Sequence, residues 1–142
     1  MAIRFFCDSV IFKCKNKRKL ANWLKGITVA EGRKIDILNV IFVSDEIILD
    51  INRKFLKHDY LTDIITFDNG TSDCKINGEL YISIDTVKMN AKEYQEDFQT
   101  ELHRVMVHGL LHLCGYNDGT DAERQKMRDL ESKYLTISEN TR

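Results

Sequence analysis

A chain of 142 residues with 43% hydrophobic and 30% charged side chains has the length and balance of one soluble globular domain, expected to span residues 1–142. No apolar run approaches the roughly 20 residues of a membrane span, and a net charge of −1 excludes the whole-protein basic field usual for a nucleic-acid binder. The charge is nevertheless uneven: residues 1–60 hold 12 Lys+Arg against 7 Asp+Glu and residues 61–142 hold 9 against 15, so the first half can attract phosphate locally. The densest run, Lys13, Lys15, Lys17, Arg18 and Lys19, is first of all a solvated helix start. The first ten residues lack the pattern of a signal peptide, which predicts a cytoplasmic protein whose Cys7, Cys14, Cys74 and Cys114 stay thiols. No two cysteines form a C-x-x-C pair, which argues against a four-cysteine zinc knuckle.

Ile3–Cys7 reads as a short strand. Lys17–Glu31 reads as a helix with Leu20, Trp23, Leu24 and Ile27 on one face and Gly32 at its end. The β-branched run Ile35–Val43 predicts a central strand. Ser44 caps a following helix with Asp45 and Glu46 in its first turn, and Ile47, Ile48, Ile51 and Phe55 form its expected buried stripe. Lys57–Asp63 is a polar loop. Ile64–Phe67 and Glu79–Ile84 read as strands joined by the turn-rich NGTSDCKING. Three helices follow: one from Asp85, one from Phe98 to Leu113 stopped by Gly115, and a last one ending near Leu135, entered through the capping-box pair Thr120 and Glu123. This order predicts an α+β domain, a mixed sheet of about four strands packed with about five helices.

The chemistry concentrates at the end of the fourth helix. His108 and His112 lie four apart, so their rings share one helix face and suit a single small metal ion. Gly115 then turns the chain, and Asp118 falls where it can supply a third ligand. The string His108-x-x-x-His112-x-x-Gly115-x-x-Asp118 follows the logic of H-x-x-x-H-x-x-G-x-x-[H/D] metal sites. Cys114 and His103 are weaker third ligands, because each is rotated well away from the shared face. The zinc-protease motif H-E-x-x-H places a glutamate base beside the first histidine; here that position is Gly109. Three protein ligands leave a position for water on Zn²⁺ or another divalent transition metal, and carbonyl carbon and phosphorus are both possible targets.

The string HGLLHLCGY, His108 to Tyr116, resembles the H-G-x-L-H-L-x-G-Y-D-H signature of the YbeY endoribonucleases. Leu49–Phe67, LDINRKFLKHDYLTDIITF, is similar to a second family block, with Asn52, Asp59, Thr62, Asp63 and Phe67 aligned. Gly78–Ser83, GELYIS, is similar to a third. Two positions depart from the family pattern. Asp118, preceded by Asn117, stands where the third ligand is usually histidine, and Leu56 stands where the family usually has an arginine thought to serve catalysis. Aspartate is a competent zinc ligand; leucine cannot bind phosphate.

The resemblance implies a zinc-dependent, single-strand-specific endoribonuclease. It would act in 3′-end maturation of small-subunit (16S) rRNA and in ribosome quality control, with RNA and the ribosome or its small subunit as partners. In that setting Lys57, more than Lys54, is the candidate to replace the missing arginine at the scissile phosphate, with Arg53 and His58 also near in sequence. Asp63 is a candidate catalytic carboxylate. Asn52, Lys54, Thr62 and Tyr116 are candidate substrate-binding residues, although Asn52 lies on the expected polar side of its helix. Asp59 is either an outer partner of a ligand histidine or a loop charge, and Glu79 is read as a solvated strand residue. Hydrolysis by water and attack by the RNA 2′-OH both remain open. The competing functions are a hydrolase of another substrate, such as a peptidase, and a ribosome-assembly protein with an idle metal.

Overall fold

The computed structural model describes residues 2–57, 61–70 and 75–140, residues 138–140 by backbone alone. His58, Asp59 and Cys74, named above, lie outside the described residues. The chain runs β1 (Ala2–Asp8), α1 (Lys17–Ala30), β2 (Lys34–Val43), α2 (Asp45–Ile51), a π-helical turn (Asn52–Leu56), β3 (Ile64–Asp68), β4 (Lys75–Ser83), α3 (Ile84–Glu93), α4 (Phe98–Leu113) and α5 (Asp121–Asn140). Four strands form one mixed sheet in the order β1-β2-β4-β3. β1 and β4 each pair parallel with β2, while β3 and β4 form an antiparallel pair. The β-branched run thus lies in the sheet interior, as its composition predicts. The result is the expected α+β architecture.

Alternation along β2 and β4 divides the side chains between two faces. Leu38, Val40 and Phe42 of β2 and Leu80 and Ile82 of β4 pack with Leu24 and Ile27 of α1 and with Leu102, Val105, Met106, Leu110 and Leu111 of α4. On the other face Ile41, Val43 and Ile65 close a smaller cluster over Ile48 of α2. Each fully buried aliphatic side chain of this kind contributes about 1.5–3 kcal/mol. α4 is buried on most of its circumference, and beyond its first turns the stripe through Arg104, His108 and His112 remains half-open.

Four local details differ from the sequence expectation. Phe55 is 68% exposed and Asn52 is fully buried, the reverse of the expected stripe. The i→i+5 winding of the π turn rotates residues after Ile51 out of α-helical register, which swings Phe55 outward to meet the Phe67 ring edge-on. β4 begins at Lys75 and not Glu79, since pairing with β2 from Lys34 onward draws the KING segment into the sheet. α3 starts at Ile84 with the Ser83 hydroxyl accepting from the Thr86 N–H. α5 continues beyond Leu135 to Asn140. The Ser44 cap and the Thr120–Glu123 capping box form as expected, the latter with reciprocal hydrogen bonds of 3.0 and 3.1 Å.

Candidate metal centre

α4 delivers two histidines and its C-terminus delivers the third group. Cys114 is the last helical cap, and Gly115 takes a φ of +105°, open to glycine at little cost. The Gly115 N–H donates to the His112 carbonyl at 3.0 Å and the Tyr116 N–H to the Leu111 carbonyl at 3.1 Å, a Schellman closure that reverses the chain. Asp118 then returns over the helix end. His108 Nε2 and His112 Nε2 stand 3.1 Å apart, and Asp118 Oδ2 lies 3.3 Å from each.

The opposite ring nitrogens decide what these atoms can do. His112 Nδ1 lies 2.9 Å from the Tyr116 carbonyl oxygen, which only accepts, so Nδ1 carries the proton. His108 Nδ1 lies 2.8 Å from Glu131 Oε2, a carboxylate on α5, and donates likewise. Both Nε2 atoms of the neutral rings therefore present bare lone pairs to one another and to a carboxylate oxygen. Three acceptors converging at this distance repel unless a proton or a metal cation lies among them. A tetrahedral zinc ion with bonds of about 2.0–2.1 Å has ligand–ligand edges of about 3.3–3.4 Å, close to the triangle described here. The donor set fits such an ion. Without one, burial pulls the His108 imidazole down, but the hydrogen bond and charge of Glu131, with the charges of Asp118 and Asp63, carry it above its ordinary value.

The other sequence candidates are distributed unequally around this triangle. Asp63 precedes β3 and feels the His108 charge. Burial raises its carboxyl above the usual range, while His108 and two backbone N–H groups oppose the rise. Asn52 Nδ2 donates to Thr62 Oγ1 at 3.2 Å, tying the π turn to the loop that carries Thr62 and Asp63. Lys54 is exposed and paired with Asp50 one turn back, at 3.2 Å. Lys57 closes the π turn in a left-handed conformation, φ 55°, and Leu56 beside it is also exposed. Glu79 accepts from Asn69 at the surface, in keeping with a solvated role.

Tyr116 is half-buried beside the metal turn. Its ring packs against the main core and its hydroxyl donates to Glu31 Oε1 at 2.5 Å, a bond that pushes the phenol up to about 12. The Tyr134 hydroxyl from α5 donates to the other Glu31 oxygen. His103 turns away from the triangle and packs its ring on Trp23 at 5.5 Å. Cys114 packs against the core, where burial raises its thiol to about 11, and it takes no part in the triangle. Gly109, at the position of a protease glutamate, faces the sheet. A Cβ there would meet Ile64 Cδ1 at 2.6 Å and Leu80 Cδ2 at 2.8 Å, so a base at this position has no room to exist.

Sequence reasoning missed Glu131, Glu31 and Glu101. Glu131 had left a signal: it interrupts the apolar stripe of α5 between the buried Met127 and Tyr134. A charge on a buried stripe calls for a partner, and its partner is a ligand histidine.

The profile of the family described as Endoribonuclease YbeY matches residues 9–139. The chain belongs to the YbeY endoribonuclease family. Among YbeY relatives, the Endoribonuclease YbeY of Parabacteroides distasonis is 44% identical over 137 residues, covering 96% of each chain. That of Cytophaga hutchinsonii is 46% identical over 135 residues, covering 95% of this chain and 94% of its own. The solution structure of TM1509 from Thermotoga maritima superposes with a TM-score of 0.68 at 30% identity, covering 96% of this chain and 89% of that one. Among the described residues no helix is long and apolar enough to cross a membrane.

Proposed function

We propose that the protein is a metal-dependent endoribonuclease acting on single-stranded RNA in the 3′-end maturation of small-subunit rRNA and in ribosome quality control, in the cytoplasm, with one Zn²⁺ held by His108, His112 and Asp118. The observation that carries this reading is the triangle of three lone-pair donors with edges of 3.1–3.3 Å, each histidine fixed from behind. When bound, the ion supplies Lewis acidity toward a phosphoryl oxygen and an acidified water. The chain's own residues do the rest. The Asp63 carboxylate, beside His108, accepts the proton of the attacking oxygen, whether from water or from the ribose 2′-OH. Lys57, beyond the π turn, binds the scissile phosphate in place of the arginine that Leu56 replaces. Lys54, held by Asp50, serves a flanking phosphate. Thr62 lines the cleft and Asn52 acts through it. Tyr116 serves by fixing His112 through its carbonyl, since its hydroxyl is already engaged by Glu31. The packing of Gly109 against Ile64 and Leu80 removes the geometry a peptidase needs. The small ribosomal subunit is the proposed partner.

The test is cleavage of a single-stranded RNA carrying the small-subunit rRNA 3′ region, with casein as the protein control. Chelator and His112→Ala each abolish RNA cleavage, Zn²⁺ restores it after chelation, and casein stays intact. Lys57→Ala slows single-turnover cleavage more than Lys54→Ala and flattens the log–log salt dependence of RNA binding by about one unit at most. RNA cleavage that persists after chelation and in His112→Ala overturns the reading.

A further inference from the structure

We infer that Glu131 is the positioning residue of the metal centre: its carboxylate fixes the His108 ring with Nε2 bare and aimed into the ligand triangle, and so sets how tightly the ion is held. The inference rests on the ligand set proposed above. Glu131 reaches α4 from α5 and is only 7% exposed. Both of its oxygens are used. Oε2 accepts from His108 Nδ1 at 2.8 Å and Oε1 accepts from Arg104 Nη1 at 3.3 Å. Arg104 and His108 lie one turn apart on α4, so a single carboxylate from the last helix spans two successive turns of the helix that bears the ligands.

Three physical consequences follow. Burial keeps water from competing for the His108 Nδ1 proton, so that proton stays on the side facing Glu131 and the lone pair stays on Nε2. A carboxylate acceptor also increases electron donation by the imidazole, whereas His112 is held only by the neutral Tyr116 carbonyl at 2.9 Å. The two histidines are therefore unequal ligands, His108 being the stronger. Finally, Arg104 holds the second carboxylate oxygen and offsets its charge. The ring is oriented without adding net negative charge to a centre that must receive phosphate.

The experiment titrates metal-free protein with Zn²⁺ against a chromophoric chelator. It compares the wild type with Glu131→Gln, Glu131→Ala, His112→Ala and Asp129→Asn, the last an exposed carboxylate on the same helix. Circular dichroism checks each fold, and the near-isosteric Gln variant decides if Glu131→Ala fails to fold. Asp129→Asn matches the wild type. Glu131→Gln weakens binding roughly tenfold and Glu131→Ala roughly tenfold to a hundredfold. Nitrogen-15 shifts of His108 in the metal-free protein move from a single Nδ1–H tautomer in the wild type toward a mixture in Glu131→Ala. His112→Ala loses binding, which establishes the ligand set independently. If His112→Ala loses binding while folded Glu131 variants bind as tightly as the wild type with an unchanged His108 tautomer, the role of Glu131 is overturned and the ligand set stands. If His112→Ala binds like the wild type, the ligand set falls and the role of Glu131 with it.

Discussion

Glu101 brings a carboxyl into the apolar stripe of α4 and is 5% exposed. Burial first, then the neighbouring charge of Asp63, raises it from 4.5 to about 7; Arg104 opposes the rise, and Glu96 and Glu131 add to it. A carboxyl raised in the folded state binds its proton more tightly there than in the unfolded chain. Its contribution to stability is whole below about pH 4.5 and declines as the pH climbs through about 7. Glu101→Gln mimics the protonated form. In chelator-treated protein it gains up to about 3 kcal/mol over the wild type at pH 8 and almost nothing at pH 4.5, measured by urea denaturation. A constant difference across that range shows that Glu101 does not titrate as described. Residues of this kind separate what the sequence discloses from what it conceals. His108, His112, Gly115 and Asp118 are legible because one helix and one turn fix their spacing. Glu31, Glu101 and Glu131 are not: Glu101 and Glu131 interrupt apolar stripes, which says only that a partner is needed, and Asp63, His108 and the two tyrosines that face these carboxyls lie on other elements.

Among the elements, α4 is where packing tolerances are tightest. Gly109 lets the helix approach β3 and β4 to within reach of Ile64 and Leu80, whereas Gly26 of α1 faces open space. The same substitution should therefore have opposite signs at the two sites. Gly109→Ala destabilises by about 1–3 kcal/mol through overpacking. Gly26→Ala stabilises by about 0.5–1 kcal/mol through helix propensity and a less flexible unfolded chain. Urea midpoints at constant slope give both numbers; equal signs would show that the α4–sheet contact is not the constraint. The long periodic helices and the β-branched strand were readable from the sequence, α4 to both of its ends. The π turn was not, because NRKFL carries a helical pattern and only the wider winding, with Asn52 buried and Phe55 exposed, reveals the change of register.

At the scale of the whole molecule, the proposed ion adds a further tie to parts of the chain that already meet in the core: the half-open face of α4, the loop bearing Asp118, and, through Glu131, α5. Metal that binds only the folded state at a hundredfold excess over Kd adds about 2.7 kcal/mol, which raises the melting midpoint by roughly 5–10 °C. Calorimetry with Zn²⁺ and with chelator measures this shift, and His112→Ala should abolish it. A midpoint indifferent to metal in the wild type removes the ion from the stability of the fold.

Glu31 gives the arrangement an order in time. This one carboxylate, at the end of α1, receives the hydroxyls of Tyr116 beside the metal turn and of Tyr134 in α5. During synthesis, every proposed ligand has been made once Asp118 is added. The groups that aim those ligands and clamp their turn are not all present until Glu131 and Tyr134 have followed. A nascent chain that has just passed Asp118 thus owns the complete proposed ligand set and the Tyr116 support of His112, and gains the Glu131 support of His108 only as its last helix docks. Such a sequence suits the proposed enzyme, whose substrate would be a component of the machine that makes it.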